Sequence, residues 1–143
     1  MAEAGARGAA TYVSHVVVDT SVVSYLLKQH SLAASYQKLL GGKLLGISFM
    51  TVAELYRWPL ERNWGAPRIE SLLAHLRAYV VLPQDDALCW EWARIMARKG
   101  RPVSSSDAWI AATAIRHAAP LITHNVRHFQ GIDNLAVLSI PAD

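Results

Sequence analysis

The chain has 143 residues, 52% hydrophobic and 17% charged, which suits one domain with a single substantial core. That balance excludes a disordered chain, which would be apolar-poor and strongly charged, and no apolar run reaches the roughly 20 residues of a membrane helix. The formal net charge of +3 permits a polyanionic partner such as nucleic acid without requiring one. Cys89 is the only cysteine, so no internal disulfide or Cys-rich zinc site can form, and a reducing, cytoplasmic setting is expected. Between Leu88 and Trp90 it reads as a buried, inert thiol rather than a nucleophile.

Residues 1–14 are rich in Ala and Gly and lack the apolar stretch of a signal peptide, so they read as an extension before a domain over 15–143. The run Val16-Val17-Val18 is short and β-branched, as in a buried parallel strand. After Asp19-Thr20-Ser21 come helices expected over 22–29 and 32–40, the second stopped by Gly41-Gly42. Residues 44–49 form the next strand candidate. Thr51 opens a helix that should run toward Arg57 and yield near Pro59. Ile69, Leu72, Leu73 and Leu76 give residues 66–78 a helical period. A third strand at 79–82 is closed by Pro83. Residues 85–99 are helical until Gly100 and Pro102 break them, with Asp85 and Asp86 placed to cap that start. The helix over 104–117 is apolar almost all round in its middle, which predicts burial. A strand at 121–123, a single turn at 126–129 and a last strand at 135–140 complete the chain. Strands alternating with helices predict a three-layer α/β fold, its central parallel sheet of four to five strands covered on both faces.

In an open parallel sheet, ligands bind beyond the carboxyl ends of the strands. Asp19 directly follows the first strand, Glu54 lies one turn into the helix after the second, and Asp107 lies one turn into the buried helix before the fourth. All three can converge on one rim. Each also has a plainer reading. Asp19 with Thr20 and Ser21 can cap the first helix, Thr51 and Glu54 fit a capping box, and Ser104 and Asp107 fit it more loosely. Three converging carboxylates repel one another, and a hard divalent ion relieves that repulsion. Such an ion stabilises charge on a phosphate and acidifies a water for in-line attack.

The segments Val-Val-Val-Asp-Thr-Ser at 16–21, Thr-Val-Ala-Glu-Leu at 51–55, Asp-Ala-Trp-Ile-Ala-Ala-Thr-Ala at 107–114 and Thr-His-Asn-Val-Arg-His-Phe at 123–129 together resemble a PIN domain. Their order and intervals are those of VapC-type toxins, the nuclease halves of toxin–antitoxin pairs, and the resemblance spans about residues 15–140. It implies a PIN-like fold and Mg²⁺- or Mn²⁺-dependent endonucleolytic cleavage of RNA. It also implies a homodimer and a cognate antitoxin that holds the enzyme inactive. The family's acids map onto Asp19, Glu54 and Asp107, which would bind the metal. Its assisting polar residues map onto Thr20, Thr123 and Asn125, the last counted with the catalytic set. Many members carry a fourth acid where this chain has His128. A neutral imidazole is a poor Mg²⁺ ligand, so one metal is expected, with His128 either touching phosphate or lying at the surface.

Arg98, Lys99 and Arg101 before the Asp107 helix, and His124, Arg127 and His128 beside the last motif, either position RNA phosphates or are solvated surface. Of five tryptophans, Trp109 falls in the buried helix, and Trp90 and Trp92, two apart, cannot both face one core. Trp58 and Trp64, with Tyr56 and Leu60, follow Glu54 where the family forms its antitoxin groove; core packing is the plainer reading of each. Two other functions stay open: an RNA-processing PIN nuclease without an antitoxin, and a catalytically inactive PIN-like binding module.

Overall fold

A computed structural model describes residues 14–141, so the extension expected over 1–14 lies almost wholly outside the described residues. Five parallel strands form the sheet: β1 (His15–Val18), β2 (Leu44–Ser48), β3 (Val80–Leu82), β4 (Leu121–Ile122) and β5 (Val137–Leu138), in the order β3-β2-β1-β4-β5. β1 is central, with Val17 paired to Gly46 on one side and to Leu121 on the other.

Side chains alternate across a strand, and β1 divides the core accordingly. Val16 and Val18 belong to one cluster, with Tyr36, Ile47, Leu55 and Leu72. Val17 belongs to the other, with Leu88, Ile95, Ile110 and Leu121. The first face is covered by α1 (Thr20–Leu27), α2 (Ala33–Leu40) and α4 (Ala66–Leu76), the second by α5 (Asp86–Ala97) and α6 (Ser105–Arg116). In α6, Ala108, Ala111, Ala112 and Ala114 are all buried, so this helix lies tight against the sheet as its apolar middle predicts. Asp85 caps α5 by accepting from the Leu88 N–H at 2.8 Å and also pairs with Arg116 at 2.8 Å, joining α5 to the end of α6.

The helix that carries Glu54 departs from expectation at both ends. α3 runs over Phe49–Arg62, so Phe49 leaves the strand and Ser48 is the cap, accepting from the Met50 N–H at 3.0 Å. Thr51 is therefore inside the helix and fully buried rather than at its start. Nor does Pro59 end it. The ring deprives the Leu55 carbonyl of its usual partner, but Leu55 and Pro59 both lie on the buried face, and packing there carries the helix one turn further. It stops at Asn63, whose left-handed backbone (φ 51°) turns the chain so that the Trp64 N–H returns to the Pro59 carbonyl at 3.1 Å. β5 covers only two of the six residues expected for the last strand. Among the described residues no helix is long and apolar enough to cross a membrane.

The chain passes from β1 to β2 and β3 on one side, then returns to β4 and β5 on the other. The order thus reverses between β1 and β4, and a crevice opens beyond their carboxyl ends. Because α3 ends on a strained non-glycine residue, Asn63→Ala is expected to lower stability by about 1 kcal/mol. Asn63→Gly should hold or raise it in urea melts. Equal losses from both would place the effect in the Asn side chain instead.

Candidate active site

Asp19 stands at that crevice. Its backbone N–H continues the sheet by donating to the Ile122 carbonyl at 2.8 Å, and its own carbonyl starts α1 by accepting from Val22 and Val23. The side chain makes no capping bond to the helix. Instead Oδ2 accepts from Ser21 Oγ and from Thr123 Oγ1, each at 2.7 Å. These two hydroxyls are themselves fixed by the backbone after β4, with the His124 N–H donating to Ser21 Oγ and the Asn125 N–H to Thr123 Oγ1. One carboxylate therefore joins the first turn of α1 to the segment that follows β4. It is only 4% exposed. Burial pushes its pKa up and the charge of Asp107 adds to this, while the Thr123 and Ser21 bonds pull it back.

Glu54 is turned inward from α3 by Thr20, whose Oγ1 lies 2.7 Å from Oε1 and 2.9 Å from the buried Thr51 Oγ1. The capping box expected of Thr51 and Glu54 is replaced by this bond, since Ser48 already caps the helix. Burial raises the Glu54 pKa and the charges of Asp19 and Asp107 raise it further, against the Thr20 bond and Arg57.

Asp107 lies in the first turn of α6. Ser104 Oγ accepts from its N–H at 3.1 Å, so the serine half of the expected cap is present. The carboxylate turns elsewhere, to His128 Nδ1 at 3.2 Å. His128 is carried by a 3-10 turn over Val126–Phe129, whose Phe129 is buried in the core.

Asp19, Glu54, Asp107, Asn125 and His128 line one open cleft of about 430 Å³, with Thr20 and Ser21 at its floor. Thr123 lies beneath it, fully buried. Arg127 is exposed and is not among the lining residues. Two of the three basic residues before α6 are tied down: Arg98 donates to the Gly131 and Arg101 carbonyls, and Arg101 donates to Gln130 Oε1. His124 is held by Tyr36, its Nδ1 2.6 Å from the hydroxyl, and packs against Tyr25. Trp92 stacks on Trp109 at 4.8 Å while Trp90 is 60% exposed, so the pair does split between faces. Trp64 is core, and Tyr56 and Leu60 are exposed on α3.

Ser24, Tyr25 and Lys28 line the cleft without having been singled out by the sequence, and Trp58, expected in the core or an antitoxin groove, lines it as well. The signal was present. Ser21, Ser24, Tyr25 and Lys28 repeat at helical spacing beside the apolar Val22, Val23, Leu26 and Leu27, so α1 has one polar face directed at the site. A second cavity, about 350 Å³ and mostly apolar, lies at the other end of the sheet between His15, Gly46, Leu82 and His117 and contains no carboxylate.

Among the described residues no three or more His, Cys, Asp or Glu close into a preformed metal cage. The donor chemistry still fits a hard divalent ion. Mg²⁺ commonly takes one or two carboxylates and fills its remaining positions with water and substrate phosphate. Three carboxylates here share a cleft, and the pKa of each of the two more buried ones is raised by burial first and by acidic neighbours in addition.

The model of the PIN domain matches residues 16–135 of the chain. The chain belongs to the PIN-domain family. Ribonuclease VapC1 of Haemophilus influenzae (strain R2866) is 32% identical over 124 residues, covering 83% of this chain and 92% of that relative. The structure of VapBC-1 from nontypeable Haemophilus influenzae superposes with a TM-score of 0.73 at 30% identity, covering 87% of this chain and 97% of that one. VapBC2 from Rickettsia felis, bound to a DNA fragment from its promoter, shares the fold at a TM-score of 0.77 and 21% identity, covering 87% and 98%. The α/β fold and the VapC-type PIN resemblance drawn from the motifs both hold.

In this PIN domain burial, with the neighbouring acids, holds the pKa values of Asp19 and Glu54 above the ordinary carboxylate range. The folded chain then holds more protons than the unfolded one between the unfolded and folded values, so stability falls as pH rises through that interval. The loss is absent below the unfolded values and complete above the folded ones. Asp19→Asn and Glu54→Gln are therefore expected to raise the melting temperature of metal-free protein at pH 7 and to flatten the profile above pH 4. Lower melting temperatures in both would show that the charges stabilise the fold.

Proposed function

We propose that this PIN domain is a Mg²⁺- or Mn²⁺-dependent endoribonuclease, the toxin of a toxin–antitoxin pair working in the cytoplasm. The observation that carries the reading is the meeting of Asp19, Glu54 and Asp107 in one cleft at the sheet's switch point, each diverted from the capping role its sequence position offers. The names of its relatives support the same reading: VapC1 is a ribonuclease, and VapBC-1 and VapBC2 were solved as VapBC assemblies. An antitoxin is the expected protein partner, and a homodimer the expected assembly.

Asp19, Glu54 and Asp107 would hold the cation, which supplies positive charge to the scissile phosphate and lowers the pKa of water at neutral pH. The chain's own residues set the geometry. Ser21 and Thr123 both bond to Oδ2 of Asp19 and so fix the plane of that carboxylate. Thr20 turns Glu54 toward the cleft. His128, 3.2 Å from Asp107, stands where many members of the family have an acid, so one candidate ligand for a second ion is missing. One ion per site is the resulting expectation. Asn125, anchored through its N–H to Thr123, presents its side chain to the substrate cleft.

Purified protein freed of any partner is expected to cut total cellular RNA at discrete sites with Mg²⁺ or Mn²⁺, and to stop with EDTA. Asp19→Asn should abolish cutting, and Thr123→Val should reduce it about 10- to 100-fold by loosening Asp19. Folded protein that cuts nothing with either metal would overturn the enzyme reading in favour of a binding module.

A further inference from the structure

Beside the carboxylates the cleft has an aromatic wall to which the hydrolytic reading assigns no role. Trp58 on α3 and Lys28 at the end of α1 both line it. Lys28 Nζ lies 5.0 Å from the Trp58 ring centre, and the guanidinium carbon of Arg62 lies 5.2 Å from it. Glu54, Trp58 and Arg62 follow one another at four-residue steps on α3, about 6 Å of axis each. The ring is thus one step from the Glu54 carboxylate, and a permanent cation stands one step beyond. Lys28 is the only Lys or Arg among the residues that line the cleft. Trp64 offers the contrast: it is 8% exposed, covered by Arg68 at 4.0 Å, and part of the core. Trp58 is only half-buried, with part of its ring packed on the core and part facing the cleft.

We propose that Trp58, with Lys28 and Arg62 beside it, is a nucleotide-stacking subsite that holds an unpaired base next to the scissile phosphate. This rests on the ribonuclease reading above. Aromatic rings stack any base, whereas cations beside them meet the flanking phosphates. Lys28 is exposed, and a cation–π contact at an exposed site is weak. An entering base displaces the ammonium from the ring and leaves it free for phosphate. A base inside a duplex already has neighbours on both faces, so the subsite selects single-stranded or looped RNA over paired RNA. Affinity depends little on base identity, because every base has a π-face.

The test is binding of a fluorescein-labelled oligoribonucleotide, single-stranded or annealed to its complement, to full-length protein carrying Asp19→Asn so that the RNA stays intact. The single strand is expected to bind more tightly than the duplex. Trp58→Ala should weaken the single strand about 10-fold and the duplex little, and Trp58→Phe should restore most of the loss. Lys28→Ala, an exposed change, should flatten the salt dependence of binding. Tyr56→Ala, on the same helix but outside the lining residues, should change nothing. Unchanged binding by folded Trp58→Ala, or equal losses for single strand and duplex, would overturn the proposal. So would loss of antitoxin binding with RNA binding intact, since that would assign the ring to the protein partner. If the wild-type chain cuts no RNA while the Trp58 contrast persists, the subsite stands and the ribonuclease reading falls.

Discussion

A carboxylate buried at the point where a parallel sheet reverses its order is the constraint from which the rest of this site follows. Asp19 is 4% exposed, and its charge is opposed both by burial and by a second acid, Asp107. Such a group persists only if something compensates it. In the isolated chain that compensation is two hydroxyl donors on one oxygen, Ser21 from the first turn of α1 and Thr123 from the end of β4. They also determine the loops. Ser21 and Thr123 accept backbone N–H bonds from His124 and Asn125, so the segment after β4 is held down by the residues that steady Asp19. Fold and site are here one hydrogen-bond network, and a change to either hydroxyl acts on both.

Each of the three acids sits beside or within the first two turns of a helix, where a carboxylate ordinarily bonds the helix's free N–H groups or favours its positive end. None does so alone here. Asp19 turns back to the sheet, Glu54 is drawn to Thr20 across from another helix, and the cap of α6 is made by Ser104, leaving the Asp107 carboxylate to face His128. For α3 the substitution is visible one turn earlier, where Ser48 takes the capping role. Serines and threonines that serve as caps or anchors release the acids for the cleft, and the repulsion left among those acids is what a hard cation would relieve.

That division of labour also marks where the sequence stopped being legible. Period and breakers disclosed the layers: the β-branched run of β1 and the alanine-rich face of α6 both lie where their patterns require. The ends of α3 were hidden. Proline argues for a stop at residue 59, and only the burial of Leu55 and Pro59 on one face, a tertiary fact, overrides it. The motifs pointed to Asp19, Glu54, Asp107, Asn125, Thr20, Thr123, Arg127 and His128, and the cleft or its buried support contains all of them but Arg127. The basic residues were another matter. Charge along the chain singled out Arg98 and Arg101 and passed over Lys28, yet the first two are committed to the loop around Gly131, and Lys28 is the Lys or Arg that lines the cleft. A charged side chain's partner is decided by three-dimensional neighbours that local sequence does not encode.

The electrostatics of the cleft then follow from what surrounds its acids. Three carboxylates face one permanent cation and one imidazole among the lining residues, so by itself this lining repels a polyanion. A net charge of +3 spread over the molecule does little at that distance, since salt screens exposed charges beyond about 8–10 Å. On the proposed reading, RNA entering the cleft would meet positive charge brought by a cation on the acids, together with the little that Lys28 and Arg62 supply locally. Metal and substrate would then bind with positive coupling. The ion would lower the cost of bringing phosphate to the cleft, and the phosphate would supply oxygen donors that three loosely gathered carboxylates leave unfilled. An antitoxin that placed a basic side chain among the same acids would satisfy the same electrostatic need and so compete with both.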